Sequence, residues 1–265
     1  MLKNRLIFAL LYNNEKYMLS RNFSLQSVGD INWLKECYDY NSIAYSIDEL
    51  LVLNVERGEK NISKFCESLK ELSKQYFMPV AAGGGIRSIE DAIAIMGSGV
   101  DKLILNTAFF KDPELVKDLV SIYGSQCVIA SLDYKNTEDG PKVYIEDGSK
   151  VLEMDVMSAA KYMEEIGAGE IYLTSISDDG TGEGYDLETL KNVANNVSIP
   201  LIASGGCGRY DQFAEAYTQA NVKAAATADL FNFMADALVE TREHIIESGI
   251  PMAKWSIDFF QDYQK

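Results

Sequence analysis

The chain has 265 residues, 47% of them hydrophobic, which is enough to build one large folded domain. Its net charge is −16, and this argues against nucleic-acid binding, which needs a basic surface. Small anionic ligands are compatible with that charge, because backbone amides can bind them locally. No apolar run approaches the roughly 18 residues of a membrane span, so we expect no membrane partner.

The cysteines and the one histidine form no metal-binding pattern. The four cysteines lie far apart without a C-x-x-C pair, so we expect reduced thiols in a cytoplasmic protein. His244, the only histidine, lies in a charged helical stretch and is predicted to be a solvated surface residue. We therefore predict no metal site and no cofactor.

Eight short apolar runs alternate with helical segments along the chain. Continuous apolar runs of about three to five residues are typical of strands buried on both faces. Ser88 with Asp91, and Asp112 with Pro113, indicate the starts of two helices. The runs begin near Leu6, Leu50, Val80, Leu103, Cys127, Ile171, Leu201 and Ala224.

Eight strand–helix units favour an α/β fold of the (β/α)8 TIM barrel type over the alternative, a doubly wound open sheet. The sequence contains no linker or low-complexity tract, so residues 1–265 are predicted to form a single barrel domain. Two insertions follow strand C-termini, the face where barrel enzymes carry their chemistry. Residues 13–30 are predicted as a polar loop, and residues 140–148 as a hairpin after the fifth strand.

Two segments of the chain repeat each other at an offset of 121 residues. Residues 79–85 (PVAAGGG) match residues 200–206 (PLIASGG). The same offset pairs Glu49 with Glu170 and Lys102 with Lys223. A duplicated half with one glycine-rich turn in each copy predicts a two-fold half-barrel repeat and a ligand with two phosphate ends.

The glycine-rich turns are candidate phosphate sites, with tight turns alone as the alternative. Glycine allows positive φ and close approach to a ligand, and the following helix N-terminus offers free amides. A polar loop at residues 174–182, which follows the sixth strand, is a candidate lid over substrate. The candidate binding residues of the two turns are Gly84, Gly85, Asn106 and Thr107 in the first, and Ser204, Gly205 and Gly206 in the second.

Charged residues mark both ends of the predicted strands. Asp133 ends the fifth strand, where a carboxylate can act as general acid or base, or alternatively cap a helix or form a salt bridge. At the opposite ends, Arg5, Glu49, Lys102 and Glu170 each stand at the start of an apolar run. Two charges of each sign can neutralise one another as a ring, which is either structural ion pairing or a gate.

From Arg5 to about Phe233, the chain resembles the HisF family, the cyclase subunit of imidazole glycerol phosphate synthase. The most specific segments include GGGI at residues 83–86, YGSQ at 123–126 and DGT at 179–181. The resemblance implies a barrel with two phosphate sites. It also implies a separate HisH-like glutaminase subunit on the barrel floor, whose ammonia passes up the barrel axis to the active site.

The resemblance also assigns roles by position. It implies that Asp133 is one of two catalytic aspartates and that Asp101 contacts the glutaminase. The implied gate to the ammonia channel is Arg5, Glu49, Lys102 and Glu170. The implied phosphate ligands are Gly85, Asn106 and Thr107 at the first site, and Asp179 and Gly180, followed by Thr181, with Gly206 at the second.

Three positions depart from the family pattern. Leu11 stands where the other catalytic aspartate is expected, and leucine transfers no proton. Leu19 replaces a phosphate-contacting lysine, for which Arg21 is a candidate substitute. Asp229 replaces a small residue at the second phosphate site, and an unpaired carboxylate about 4 Å from a dianion costs several kcal/mol. All three departures lie at the cyclisation end, while the ammonia end is intact.

This division resembles a branch of the family found with surface-polysaccharide genes. That branch is associated with ammonia supply for converting an acetamido sugar to an acetamidino sugar. We favour this function, with a phosphorylated or nucleotide sugar as ligand. The alternatives are the histidine-pathway cyclase and a non-catalytic binding or scaffold barrel. The related sugar-phosphate isomerase also uses an aspartate on the first strand, so Leu11 argues against it.

Overall fold

Eight parallel strands close into a barrel in a computed structural model, which describes residues 3–38, 46–74, 78–234 and 236–253. In chain order the strands are β1 Arg5–Asn13, β2 Lys16–Arg21, β3 Ser24–Gly29, β4 Glu49–Asn54, β5 Val80–Gly83, β6 Lys102–Leu105, β7 Val128–Thr137, β8 Gly140–Ile145, β9 Lys150–Asp155, β10 Glu170–Ser175, β11 Leu201–Ser204 and β12 Ala224–Thr227. The barrel order is β1, β4, β5, β6, β7, β10, β11 and β12, and β12 pairs with β1. Because β7 pairs with β10, the sheet is closed and the open-sheet alternative is wrong. All eight predicted strands are confirmed.

Helices follow the barrel strands and begin at the predicted caps. The Ser88 hydroxyl accepts the Asp91 amide at 3.1 Å, and the Asp112 carboxylate accepts the Leu115 amide at 3.2 Å. None of the helices in the described ranges is long and apolar enough to cross a membrane. The helices are α1 Ile31–Cys37, α2 Ile62–Ser73, α3 Ile89–Met96, α4 Ala108–Lys111, α5 Pro113–Tyr123, α6 Val156–Ile166, α7 Leu187–Ala194, α8 Tyr210–Gln219 and α9 Ala237–Glu247.

Alternation along each strand divides the core into two layers. On β1, Leu6, Phe8 and Leu10 belong to the large core between sheet and helices, whereas Ile7 and Ala9 belong to a small core inside the barrel. The inner core comprises Ile7, Ala9, Leu51, Ala81, Ile104, Ile129, Tyr172, Ile202, Ala224 and Ala226. Residues two positions before or after these on a strand therefore face the two ends of the barrel axis.

The half-barrel repeat predicted from the sequence is visible in the backbone. Gly84 and Gly205, which are 121 residues apart, have φ values of +97° and +90°. A Cβ on Gly84 would stand 2.2 Å from the Asn54 carbonyl oxygen, and one on Gly205 would stand 2.4 Å from that of Ser175. Asn54 and Ser175 are themselves related by the same offset. Each half thus places its glycine turn against the end of the preceding strand.

The predicted polar loop at residues 13–30 is wrong, because this segment forms strands. β1 continues into an antiparallel pairing with β2, and β2 pairs with β3. Asn14 and Glu15 at the first turn, and Asn22 and Phe23 at the second, all have positive φ, as two-residue hairpin turns require. Neither turn has the Asn-Gly or Asp-Gly sequence that usually signals a hairpin, and β3 has no buried residue, so the pattern looked like a loop.

The second insertion is a hairpin, as predicted, but it extends beyond residues 140–148. β7 runs on to Thr137 and pairs with β8, which pairs in turn with β9. The β8–β9 turn carries positive φ at Glu146 and Asp147. Residues 254–265 lie outside the described residues, so the 1–265 domain limits stay a prediction.

We expect Gly205→Ala to destabilise the barrel by about 2–4 kcal/mol, because it combines positive φ with a backbone clash. Urea unfolding measures this change. Gly58→Ala is the matched control, since Gly58 also has positive φ but a Cβ there would meet nothing within 4 Å. Its expected cost is about 1 kcal/mol. Equal costs for the two variants would contradict the close approach at Gly205.

Candidate functional site

Four charged side chains meet at the N-terminal end of the barrel strands. Arg5, Glu49, Lys102 and Glu170 each lie two residues before an inner-core residue of the same strand, so all four point into the barrel. Arg5 contacts Glu49 at 2.6 Å and Glu170 at 2.9 Å. Lys102 contacts the same two carboxylates at 2.9 and 3.4 Å. The four residues form a closed ring of alternating charge across the floor.

Burial and attraction compete in this ring, which we call the floor ring. The Glu49 side chain is only 2% exposed, and burial raises its pKa although Lys102 and Arg5 counteract it. Burial alone would lower the Arg5 pKa, but Glu170 and Glu49 raise it above its usual value. Lys223, the repeat partner of Lys102, is exposed and contacts Asn221 instead. The repeat therefore supplies two carboxylates to the ring but only one lysine.

Asp133 lies at the opposite end of the barrel, four residues after the inner-core residue Ile129 on β7. Its carboxylate accepts the Asn106 amide at 2.9 Å and the Ser131 hydroxyl at 3.4 Å. Burial raises the pKa of Asp133 to about 7, and these neutral donors offset the effect only in part. A carboxyl group with this pKa can both take and give a proton near neutral pH.

The first glycine turn and its surroundings involve residues at the C-terminal ends of four barrel strands. Gly84 and Gly85 have positive φ, and Gly84 packs against Asn54. The side-chain amide of Asn106 donates to Asp133 and to the Ser131 carbonyl oxygen, so it positions the carboxylate. The hydroxyl of Thr107 accepts the Glu146 amide at 3.2 Å. Of the residues predicted for the first phosphate site, Asn106 contacts Asp133 directly and Thr107 contacts Asn106.

The second glycine turn is more tightly packed. A Cβ on Gly206 would stand 1.9 Å from the Gly184 carbonyl oxygen, and the Gly184 amide donates to Gly206 at 2.9 Å. The Ser204 hydroxyl donates to Tyr172 inside the barrel at 2.7 Å. Burial raises the pKa of Tyr172 to about 12, so this phenol stays neutral.

Asp179 and Gly180, predicted at the second phosphate site, hold the β2–β3 hairpin. The Asp179 carboxylate accepts the Ser20 hydroxyl at 2.5 Å and the Phe23 amide at 3.0 Å. A Cβ on Gly180 would stand 2.0 Å from the Ser20 carbonyl oxygen and 2.9 Å from Cα of Arg21. Arg21, the candidate substitute for the missing lysine, is therefore next to Gly180. Thr181 turns back to its own loop, donating to the Asp178 carbonyl oxygen at 2.7 Å.

Asp229 is satisfied within its own loop. Its carboxylate accepts the backbone amides of Phe231 and Asn232 at 3.1 and 3.0 Å. The sequence suggested an unpaired carboxylate facing a phosphate, and the structure shows instead a carboxylate that caps the turn after β12. These two amides are consequently used by the protein itself.

Comparison with known proteins agrees with this geometry. A family model described as histidine biosynthesis protein matches residues 34–235, about three quarters of the chain. The chain belongs to the HisF family. It is 38% identical over 258 residues to a Parasynechococcus marenigrum protein provisionally named imidazole glycerol phosphate synthase subunit hisF2, covering 97% of this chain and 96% of that protein.

Two relatives from other organisms carry the HisF name. The imidazole glycerol phosphate synthase subunit HisF of Methanocaldococcus jannaschii is 34% identical, with 95% of this chain and 99% of that protein covered. The HisF subunit of Pyrobaculum aerophilum is 39% identical, and the match covers 77% of this chain and 80% of that protein. The HisF resemblance stated from the motifs is confirmed over nearly the whole described barrel.

Leu11 is a position at which the sequence predicted a departure from the HisF pattern. It follows Ile7 and Ala9 at two-residue spacing on β1, so it faces the mouth near the axis. It is buried, pairs with Leu53 on β4 and with Met18 on β2, and stands at the start of the hairpin. Leu19 is half-buried and packs against the outer core. The mouth thus has apolar packing on the side opposite the Asp133 strand.

Two further residues at the mouth were missed by sequence reasoning. Lys60 crosses Gly85, and Asp147 lies on the β8–β9 turn, with an ion pair of 3.3 Å between them. Lys60 stands in a charged loop without a motif, and its partner is 87 residues away, so no local signal marks the pair. At the floor, exposed Asp101 accepts the Val80 amide at 2.9 Å, next to the floor ring.

Asp133→Asn is expected to stabilise the fold increasingly from about pH 5 to pH 8. The folded chain keeps the Asp133 proton up to about pH 7, whereas the unfolded carboxyl loses it near pH 4, so stability falls as the pH rises between them. Asparagine removes this loss, which is on the order of 4 kcal/mol at pH 8. Thermal unfolding at the two pH values measures it. A gain that does not grow with pH would refute the raised pKa.

Glu49→Gln is expected to destabilise the protein by about 1–3 kcal/mol, because it leaves two cations in the floor ring with one carboxylate. Denaturant unfolding checks the change. The control is Asp211→Asn, which breaks the exposed ion pair with Arg209 and should leave stability unchanged. Equal effects of both variants would show that the floor ring contributes nothing as a buried unit.

Proposed function

We propose that this HisF-family chain receives ammonia from a HisH-like glutaminase subunit on the barrel floor and delivers it to an anionic substrate at the opposite mouth. The observation that carries the proposal is the complete floor ring of Arg5, Glu49, Lys102 and Glu170. A ring that is wholly self-neutral holds the floor closed in the isolated chain. A partner that offers one competing charge can open it.

The residues around the ring suit this role. Asp101 is exposed on the floor, where its second carboxylate oxygen is available to a docked partner. Above the ring, the inner core contains the small side chains of Ala9, Ala81, Ala224 and Ala226. We therefore place the ammonia path between the floor ring and Asp133, along the alanine-lined side of the axis.

We favour conversion of an acetamido group to an acetamidino group on a phosphorylated or nucleotide sugar. In that exchange one ammonia enters and one water leaves, and a single carboxyl group can handle the proton. Asp133, with a pKa of about 7, supplies that one group. Leu11 argues against a reaction that needs a second carboxylate across the mouth.

The alternative within the family is the cyclase reaction of histidine biosynthesis. The names of the relatives favour it, since they are imidazole glycerol phosphate synthase subunits. A third candidate, from another class, is a non-catalytic binding or scaffold barrel. For that function the raised pKa of Asp133 would have no use, and Asp133→Asn would leave function intact. Both enzymatic functions are consistent with a cytoplasmic location.

The proposal is tested with the purified chain and a HisH-like glutaminase from the same organism. We expect glutamine hydrolysis by the glutaminase to increase at least tenfold when this chain is added, and Glu49→Gln to reduce that coupling. Unchanged hydrolysis would reject the ammonia-channelling function.

The same chain should not rescue a histidine auxotroph that lacks the cyclase subunit, because Leu11 removes one of the two carboxylates. The control strain carries an authentic cyclase gene. Rescue by this chain would establish the histidine-pathway alternative and reject the sugar modification.

A further inference from the structure

A buried lysine lies across the first glycine turn. The Lys60 side chain is 10% exposed, and its stem crosses Gly85 so closely that a Cβ there would stand 2.8 Å from Cδ. Its ammonium group donates to the Asn54 carbonyl oxygen at 2.7 Å, the oxygen against which Gly84 packs. The packing of the stem and this hydrogen bond therefore place a positive charge at the turn.

The β8–β9 turn covers this lysine and satisfies its charge. The Asp147 carboxylate lies 3.3 Å from the Lys60 ammonium, and the neighbouring Glu146 amide donates to the hydroxyl of Thr107. Arg57 holds the turn from outside, donating to the Asp147 carbonyl oxygen at 2.6 Å and to that of Phe23 at 2.8 Å. The β8–β9 turn thus contacts both the Thr107 hydroxyl and the Lys60 ammonium group.

The two partners of the ion pair differ in how easily they can move. Asp147 is 32% exposed at a hairpin tip. Arg57 contacts its carboxylate at 3.8 Å and also donates to its carbonyl oxygen at 2.6 Å, a backbone contact that does not need the carboxylate. Burial lowers the pKa of Lys60, and the nearby Asp147 carboxylate opposes part of that shift. A ligand oxyanion that enters the turn can take the place of the carboxylate while the turn stays attached.

We propose that Lys60 is the cation of the first anion site and that Asp147 is a built-in substitute anion, which a phosphoryl group of the substrate displaces. The proposal deepens the proposed function, on which it rests for placing the substrate at this mouth. It adds a charged ligand to a site that the glycine, asparagine and threonine residues alone would leave neutral. Charge-assisted hydrogen bonds to phosphate are about twice as strong as neutral ones.

The second turn differs in a way that defines the ligand. Its internal carboxylate, Asp229, caps amides two and three residues further along its own loop, so removing it would uncap that loop. Asp147 is instead bound through a side chain from another part of the barrel. We infer that the substrate has its phosphoryl group, or the diphosphate of a nucleotide sugar, at the Lys60 end and an uncharged group at the Asp229 end.

The test uses inorganic phosphate as probe and the full chain without its partner, with affinity measured by calorimetric or NMR titration. Lys60→Met keeps the stem but removes the charge, and we expect it to weaken phosphate binding at least tenfold. Asp147→Asn removes the competing anion, and we expect binding to tighten about tenfold. Lys64→Met is the control, because Lys64 pairs with Glu15 on the surface and should leave affinity unchanged.

Unchanged affinity in Lys60→Met, or an effect equalled by Lys64→Met, would overturn the proposal. Should Lys60→Met fail to fold, Asp147→Asn decides alone: tighter binding supports displacement, and equal or weaker binding overturns it. Glutaminase stimulation depends on the floor and is measured separately. A chain that binds phosphate as expected but does not stimulate the glutaminase keeps the anion site and loses the proposed function.

Discussion

Closure of the barrel through the pairing of β7 with β10 determines which side chains meet in this protein. In that register Thr174 lies beside Asp133, and Glu170 lies beside Ile129. Together with the two-residue alternation of buried strands, it stacks three layers along one axis. The floor ring lies at the bottom, the small apolar core in the middle and Asp133 at the mouth. The floor-ring charges that contact one another are at least 44 residues apart in sequence, and closure of the sheet brings them together.

Among the described residues, some buried charges are paired with opposite charges, and others, such as Glu56, are held by neutral donors. The floor ring pairs two cations with two carboxylates, and Arg242 binds Asp48 through two contacts of 2.9 and 3.0 Å. Asp133 is held by the neutral donors Asn106 and Ser131, and its pKa rises accordingly. Asp133 thus combines deep burial at the mouth with a raised pKa, a combination typical of residues retained for proton transfer.

The sequence predicted what is local or repeated, and it missed what depends on distant segments. Eight apolar runs became eight barrel strands, and the Ser88 and Asp112 caps were visible because capping involves residues only three positions apart. The resemblance to the HisF family identified the floor ring and Asp133 as candidate functional residues. The β2–β3 hairpin was missed because its polar strands are stabilised by Asp179, about 155 residues away. Leu11 was recognised as a loss, but its packing with Met18 became visible only with that hairpin.

The two halves of the barrel keep the same backbone at their glycine turns but carry different polar residues around them. Gly84 and Gly205 keep the same φ and the same contact with the preceding strand, because any side chain there would meet a carbonyl oxygen at under 2.5 Å. The polar residues around them face no such constraint. Each turn has a carboxylate of the chain nearby, and Asp229 is bound to its own backbone amides while Asp147 is bound to the side chains of Lys60 and Arg57. The two turns therefore share a backbone but differ in how the nearby carboxylate is held, by backbone amides at Asp229 and by side chains at Asp147.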